Sequence, residues 1–301
     1  MQRIKMTVPA PVSNFGPGLG GMAMALQLNS SVTFSPREDS KLHVEVSGMD
    51  ADAFDSLDHP TVLAASRVFQ HLEQAPQGVT IRVNNNIPLG RGLSADAAFA
   101  VAGVLGAVNL MDVQLPRAAM LRIAALTCND PAGAAAVMLG GLATAILHGD
   151  DVYFRQVAPV QTRVVLVVPE IKRYRQRTPP KNVRYDDAQH NMERLPLLIE
   201  ALREMDYALL SALMDDRVHA PNVAKNITAY DKVVAAAKSV GAVAAGICGD
   251  GPAMFAFVED DPHAVADAMR GAFAAEDIAA QTWVLPVDRQ GVVVSMTQSA
   301  R

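Results

Sequence analysis

The chain has 301 residues, half of them hydrophobic and 19% charged, with a formal net charge of −5, enough for two domains or one large α/β domain with a sizeable core. The acidic balance, the lack of any Lys/Arg-rich run and an aromatic content of 5% exclude general attraction to nucleic acid or anionic membrane and a base-stacking platform. Two cysteines, Cys128 and Cys248, with no CxxC pair, give neither a disulfide framework nor a zinc site. The first seven residues are too polar for a secretory core, and the nearest thing to a membrane span, 97–113, is built of the small residues that suit a buried helix. A cytoplasmic location is therefore expected.

Strand-like alternation appears at 4–8, 31–35 and 41–46. A helix follows at 59–72, a strand at 79–83, and then a glycine-rich turn leads into a long apolar helix at 97–110. Further helices are expected at 116–127, with Pro116 near its first position, and at 131–139, ending at Gly140-Gly141. Strands follow at 143–147, 152–156 and 163–168. The segment Tyr174-Arg-Gln-Arg-Thr-Pro-Pro-Lys-Asn-Val-Arg-Tyr185 is basic and irregular. Helices at 187–202, 207–215 and 229–240 precede strands at 243–248 and 254–258, a helix at 262–273, and closing strands at 282–285 and 291–295. The β-α-β-β-α-β order of the last third suggests a ferredoxin-like half. A soft boundary near residue 158 divides the chain into 1–158 and 159–301.

The most informative stretch is Ile87-Pro-Leu-Gly-Arg-Gly-Leu-Ser-Ala-Asp-Ala-Ala98. A glycine turn opening a helix presents free backbone N–H groups and the positive end of the helix dipole to an anion. Here it also sets a carboxylate, Asp96, in the first helical turn. Asp96 suits that position by itself, contributing about 0.3–1 kcal/mol, with Ser94 expected as the N-cap. Two further glycine segments accompany it: Pro9-Ala-Pro-Val-Ser-Asn-Phe-Gly-Pro-Gly18 and Gly246-Ile-Cys-Gly-Asp-Gly-Pro252. His43, His59, His71, His148 and His263 read as surface or loop-end residues, and the two cysteines as small buried hydrophobes.

In order and spacing, these three segments, with Leu139-Gly-Gly-Leu142, Pro180-Lys181, Asp187-Ala188, Asn191, Arg194 and Asp216-Arg-Val-His-Ala-Pro221, resemble the GHMP small-molecule kinases, and the homoserine kinases most closely. The resemblance covers nearly the full length. It implies a two-domain α/β fold: a domain like ribosomal protein S5 domain 2, then a ferredoxin-like domain, with the active site between them. It also implies ATP along Pro88, Gly90, Gly92, Leu93 and Ser94, with its phosphates at the helix N-terminus. The third segment, with Gly249 and Gly251, would close over the site. Asn14, Arg194 and His219 would face substrate. The basic segment reads either as a solvated loop or, from its concentration of charge in an acidic chain, as a holder of a carboxylate or phosphate through Arg175 and Arg177.

The departures from the family pattern fall on the chemistry. The usual loop Gly-Leu-Gly-Ser-Ser-Ala-Ala is here Gly92-Leu-Ser-Ala-Asp-Ala-Ala98, so the serine facing phosphate and magnesium is Asp96. The Asp that holds the substrate amino group is missing from the first segment, where Gly16-Pro-Gly-Leu is followed by Gly20. Glu-Gly-His-Pro-Asp-Asn becomes Cys128-Asn-Asp-Pro-Ala-Gly133, replacing the metal-binding Glu by Cys128, the substrate-side His by Asp130 and the Asn near the reacting hydroxyl by Gly133. The substrate-binding Arg is Val223, and the serines of the third segment are Cys248 and Asp250. A carboxylate about 4 Å from a phosphate charge costs roughly 4 kcal/mol at an effective dielectric near 20, unless a cation sits between them.

Two expectations follow. In one, the chain is a phosphotransferase that moves the γ-phosphoryl of MgATP to a hydroxyl of a small amino-acid-like or anionic metabolite. Asp96 then holds Mg²⁺, which prefers oxygen ligands, and Asp130 orients the hydroxyl or acts as base. In the other, the fold is retained without ATP chemistry, as a non-phosphorylating enzyme or metabolite-binding pseudokinase with no cofactor, and Asp96 plugs the phosphate site. A small-molecule partner is expected in both, without nucleic acid or membrane, and a homodimer is left open.

Overall fold

The computed structural model describes residues 2–53, 57–158, 161–171, 174 and 179–298. The first part of the chain forms β1 (Gln2–Ser13), β2 (Met22–Pro36), β3 (Leu42–Gly48), α1 (Pro60–Leu72), β4 (Val79–Asn85), α2 (Ala95–Leu110), α3 (Arg117–Cys128), α4 (Pro131–Leu139), β5 (Leu142–His148) and β6 (Asp151–Ala158). Next come β7 (Arg163–Pro169), α5 (Tyr185–Glu204), α6 (Tyr207–Leu213), α7 (Ala220–Ala224), α8 (Tyr230–Ser239), β8 (Ala242–Ile247), β9 (Met254–Val258), α9 (Pro262–Ala274), β10 (Ala280–Pro286) and β11 (Val293–Gln298).

Strand β2 organises the first sheet. It pairs with β1 along its length, with β5 through Met22–Met24 and with β4 through Ser31–Pro36. Met22 to Leu26 are all buried, whereas the later residues alternate. An unbroken apolar run suits a strand covered on both faces, and alternation one half-open to water.

Helix α2 runs through the centre of this half and has almost no solvent face, twelve of its sixteen residues being buried. Its small residues permit this. A Cβ on Gly103 would lie 2.3 Å from the Thr61 carbonyl oxygen of α1, and one on Gly106 would lie 2.3 Å from the Phe34 ring of β2. Helix α2 is thus clamped between α1 and the sheet, and its N-terminus is held at a fixed point.

The second sheet has the order β10-β7-β9-β8, antiparallel throughout, with α5–α8 in the first crossover and α9 in the second. This is the ferredoxin-like arrangement expected from the strand order. The closing strand is β10. The last strand, β11, leaves this sheet and pairs antiparallel with the outer edge of β1, where it satisfies backbone groups that would otherwise be an open edge. Asp288 fastens the crossing: its N–H donates to Ala25 O at 2.8 Å, its carbonyl accepts from Gly141 N, and its carboxylate accepts from Gln290 N and Gly291 N.

One hydrophobic core spans both halves, and a second packs the other face of β7–β9 against α8 and α9. Phe15, beyond β1, meets Phe255 and Phe257 of β9 edge-on at 6.0 and 6.4 Å between ring centroids. Burial of these rings fixes the first glycine segment against the second sheet. No helix among the described residues is long and apolar enough to cross a membrane.

His59 sits at a loop end, as the N-cap of α1, but is buried there. It is 1% exposed, its Nδ1 accepts the Thr61 N–H at the start of α1, and its ring lies 4.8 Å from that of Phe99. Burial holds its pKa down at about 4. His43 and His148 are exposed as expected.

Candidate active site

The three glycine segments converge. The Gly249 N–H donates to Ser13 O at 2.7 Å, and the Ala253 N–H donates to Arg91 O at 3.0 Å. The closest approach is backbone on backbone: a Cβ on Gly92 would sit 2.0 Å from the Cys248 carbonyl oxygen, and one on Gly249 would sit 2.7 Å from Gly92 O. Gly92 and Gly249 also have φ of +87° and +51°, a region open to glycine without strain. In the first segment Asn14 takes φ +59°, and its Oδ1 accepts the Gly20 N–H at 2.7 Å, the local bond that lets Asn hold a left-handed turn.

Behind these turns lies a cavity of about 400 Å³ at the N-termini of α2 and α4. The structure brings Asn14, Gly90, Gly92, Ser94, Asp96, Asp130 and Gly249 to its wall, together with Ser13, Cys128 and Asp250. The Ala97 N–H closes the first turn of α2 on Ser94 O at 2.9 Å, whereas Ala95 and Asp96, which precede any helical carbonyl that could serve their N–H groups, line this cavity. Leu93 is 1% exposed and anchors the loop in the core. Pro88 lines a separate cavity of about 300 Å³ with Asp50, Arg91 and Glu170. Gly251 stands behind the wall, where a Cβ would meet the Tyr174 hydroxyl at 2.6 Å, and that hydroxyl donates to the Asp250 carbonyl. His219 lines an adjoining cavity of about 310 Å³ that shares Asn14, and its Nε2 lies 2.8 Å from Gly249 O. Arg194 donates to its own helix, at His190 O, 3.2 Å away, while its buried Nε has no partner among the described residues. Arg175 and Arg177 lie outside the described residues.

Ser94 occupies the N-cap position without capping. Its φ of +40° turns the side chain from the helix, and no side-chain cap bond forms. The hydroxyl instead lies 3.2 Å from Ser13 Oγ, on the side where it favours the charged form of the Asp130 carboxylate. Asp130 does cap α4: its Oδ1 accepts the Gly133 N–H at 2.8 Å.

The electrostatics are acidic. Burial pushes the Asp130 carboxyl above its ordinary range, opposed by the Gly133 N–H and the Ser94 hydroxyl and reinforced by the charge of Asp250. Asp96 is open to the cavity, yet the surrounding walls withdraw enough water to raise its pKa as well. Burial, with Asp130 and Asp96 nearby, pushes the Cys128 thiol up to about 12. No Lys or Arg lines this cavity among the described residues. Nor, among them, do three or more His, Cys, Asp or Glu side chains form a metal cluster.

Asp250, Ser13 and Tyr174 were not among the expected site residues. Asp250 carries a readable signal, as an acidic residue between two glycines. The contact of Tyr174 depends on tertiary packing alone.

The pattern of the GHMP kinases N terminal domain matches residues 61–154, and that of the GHMP kinases C terminal matches residues 198–275. The homoserine kinase of Caldicellulosiruptor bescii is 30% identical over 98% of both chains. That of Nostoc punctiforme is 31% identical over 96% of this chain and 97% of its own. The crystal structure of homoserine kinase from Cytophaga hutchinsonii superposes with a TM-score of 0.87 at 22% identity, covering 97% of each chain. With its glycine segments, its fold and these relatives in agreement, the chain belongs to the GHMP kinase family and is homoserine-kinase-like within it.

Proposed function

We propose that this protein is a small-molecule kinase that transfers the γ-phosphoryl of MgATP to a hydroxyl of an amino-acid-like or anionic metabolite. The observation that carries this reading is the cavity in which the α2 N-terminus, two glycine turns and the carboxylates of Asp96 and Asp130 meet. The amides around Gly90, Gly92, Ser94 and Asp96 suit phosphate oxygens. The carboxylates suit a hard divalent cation: Mg²⁺ commonly takes one or two carboxylates and completes its shell with phosphate oxygens and water, so a full protein cage is not required. Mg²⁺, when bound, supplies the charge that neutralises the phosphates against Asp96.

Catalysis in phosphoryl transfer is mostly positioning and charge stabilisation, and the roles of this chain's residues follow. The glycine turns hold the phosphates in place. Asp130, with its raised pKa, accepts the acceptor's hydroxyl proton as the substrate oxygen bonds phosphorus and the bridging oxygen leaves with ADP; a base nearer neutrality suits that task. Asn14 Oδ1 is engaged with the Gly20 N–H, which leaves its amide N–H group to face substrate among the described residues. Homoserine is the reference acceptor, given the relatives' names. With Val223 and Gly20 in place of the family's gripping residues, another hydroxyl-bearing metabolite competes for that role.

A second reading, retention of the fold without ATP chemistry, draws on the cavity's three carboxylates and its lack of a basic side chain among the described residues. ADP release measured with MgATP and a panel of hydroxy-amino acids, homoserine included, separates the two. Acceptor-dependent ADP supports the kinase; none with any acceptor, from protein that is folded, supports the second reading.

A further inference from the structure

His219 is 8% exposed and lies at the base of the third glycine turn. Its Nε2 is 2.8 Å from Gly249 O and 3.3 Å from Asp250 Oδ1. A carbonyl oxygen only accepts, so Nε2 carries the proton and donates. The other side of His219 is fixed as firmly. Its backbone N–H donates to Asp216 Oδ1 at 3.1 Å, and the same carboxylate takes the Val218 and Ala220 N–H groups and the Asn191 amide of α5. Asn191 in turn accepts the Arg217 N–H at 3.0 Å. Gly249 therefore has both backbone polar groups tied to other parts of the chain, its N–H to Ser13 and its carbonyl to His219. It also presses on Gly92, so what holds Gly249 also holds the lip of the second turn.

We propose that His219 is a positioning residue: its Nε2 fixes the third glycine turn, and through it Gly92 and the Asp250 carboxylate, at the wall of the cavity. It acts on a ligand through Gly249, by a strut that runs from α5 through Asn191 and Asp216. The inference rests on the kinase reading only where nucleotide is the probe; the placement of the turn is testable without any ligand.

The test compares H219A, H219N and H219Q. The Gln amide reaches about where Nε2 stands and can donate to Gly249 O; the Asn amide is one carbon shorter and cannot. Hydrogen exchange is followed by mass spectrometry in peptides covering 246–253 and 88–94, with 30–36 and 163–169 as internal references. The expected result is exchange about tenfold faster or more in 246–253 and 88–94 for H219A and H219N, as for loss of a buried hydrogen bond. The references should be unchanged and H219Q close to wild type. Affinity for the Mg²⁺ complex of AMP-PNP, by calorimetry, should follow the same order. Unchanged exchange in H219A and H219N, acceleration equal in H219Q, or acceleration that includes the references would each overturn the proposal. Wild-type protein that does not bind Mg²⁺·AMP-PNP would refute the kinase reading and leave the exchange result to decide on His219.

Discussion

Asp130 and Gly133 form a matched pair: Asp130 Oδ1 accepts the Gly133 N–H at 2.8 Å, and a Cβ on Gly133 would lie 2.2 Å from Asp130 Oδ2. The carboxylate occupies the space that any larger residue at 133 would need. Two departures from the family pattern, at 130 and at 133, are therefore one physical change. Gly133→Ala should displace the Asp130 carboxylate in the wild-type background and do much less harm in Asp130→Ala. A double-mutant cycle by urea unfolding should give a coupling of about 1–3 kcal/mol, on top of about 1 kcal/mol for the lost cap in Asp130→Ala. Additive effects would mean that the two positions do not share this space.

His59 should make the fold sensitive to acid. Its pKa falls from 6.5 to about 4 on burial, so between those values the unfolded chain binds the extra proton and the folded chain does not. Above the unfolded value His59 costs the fold nothing; as pH falls from 6.5 towards 4 stability drops, the loss approaching about 3 kcal/mol at the acid end. His59→Asn keeps a capping acceptor and removes the titration. The stability-versus-pH curve of that variant should be flatter across this window, whatever its absolute stability. Parallel curves would remove His59 as the source.

Both cysteines should be silent as nucleophiles. The Cys128 thiol is pushed up to about 12 by burial and by Asp130 and Asp96, and complete burial pushes that of Cys248 up as well. The thiolate is the reactive form, so iodoacetamide at pH 8 should leave both unlabelled in folded protein and label both in denaturant. Labelling of Cys128 in the folded protein would show that the acidic surroundings do not reach the thiol.

What could be read from the sequence was local. Glycines and prolines marked the turns, the small residues of 97–110 announced a helix buried all round, and the order of the three glycine segments carried the fold. What could not be read depended on distant partners. The pairing of β11 with β1 answers an open strand edge some 290 residues earlier in the chain, which no local pattern records. Helix α7 has five residues, too few for a period to show. The burial of His59 comes from Phe99 across the α1–α2 interface, and Ser94 fails to cap because the loop enters the helix with φ +40°. At the site, the glycines were legible because backbone contact demands them. The roles of His219 and Tyr174 were not, because both bond to backbone carbonyls of the third turn, and any sequence there offers those.

The central claim, that Asp96 serves a nucleotide–metal complex and does not block it, is tested most directly by calorimetry of AMP-PNP binding to wild type and Asp96→Ala, each with and without Mg²⁺. At about 4 Å the repulsion between Asp96 and a phosphate is roughly 4 kcal/mol, about a thousandfold in affinity, so the sign of the change is easily read. Wild type should bind only with Mg²⁺, and Asp96→Ala should lose this metal-dependent binding while remaining folded. Nucleotide binding that appears or tightens in Asp96→Ala without Mg²⁺ would contradict it and identify Asp96 as a plug in the phosphate site.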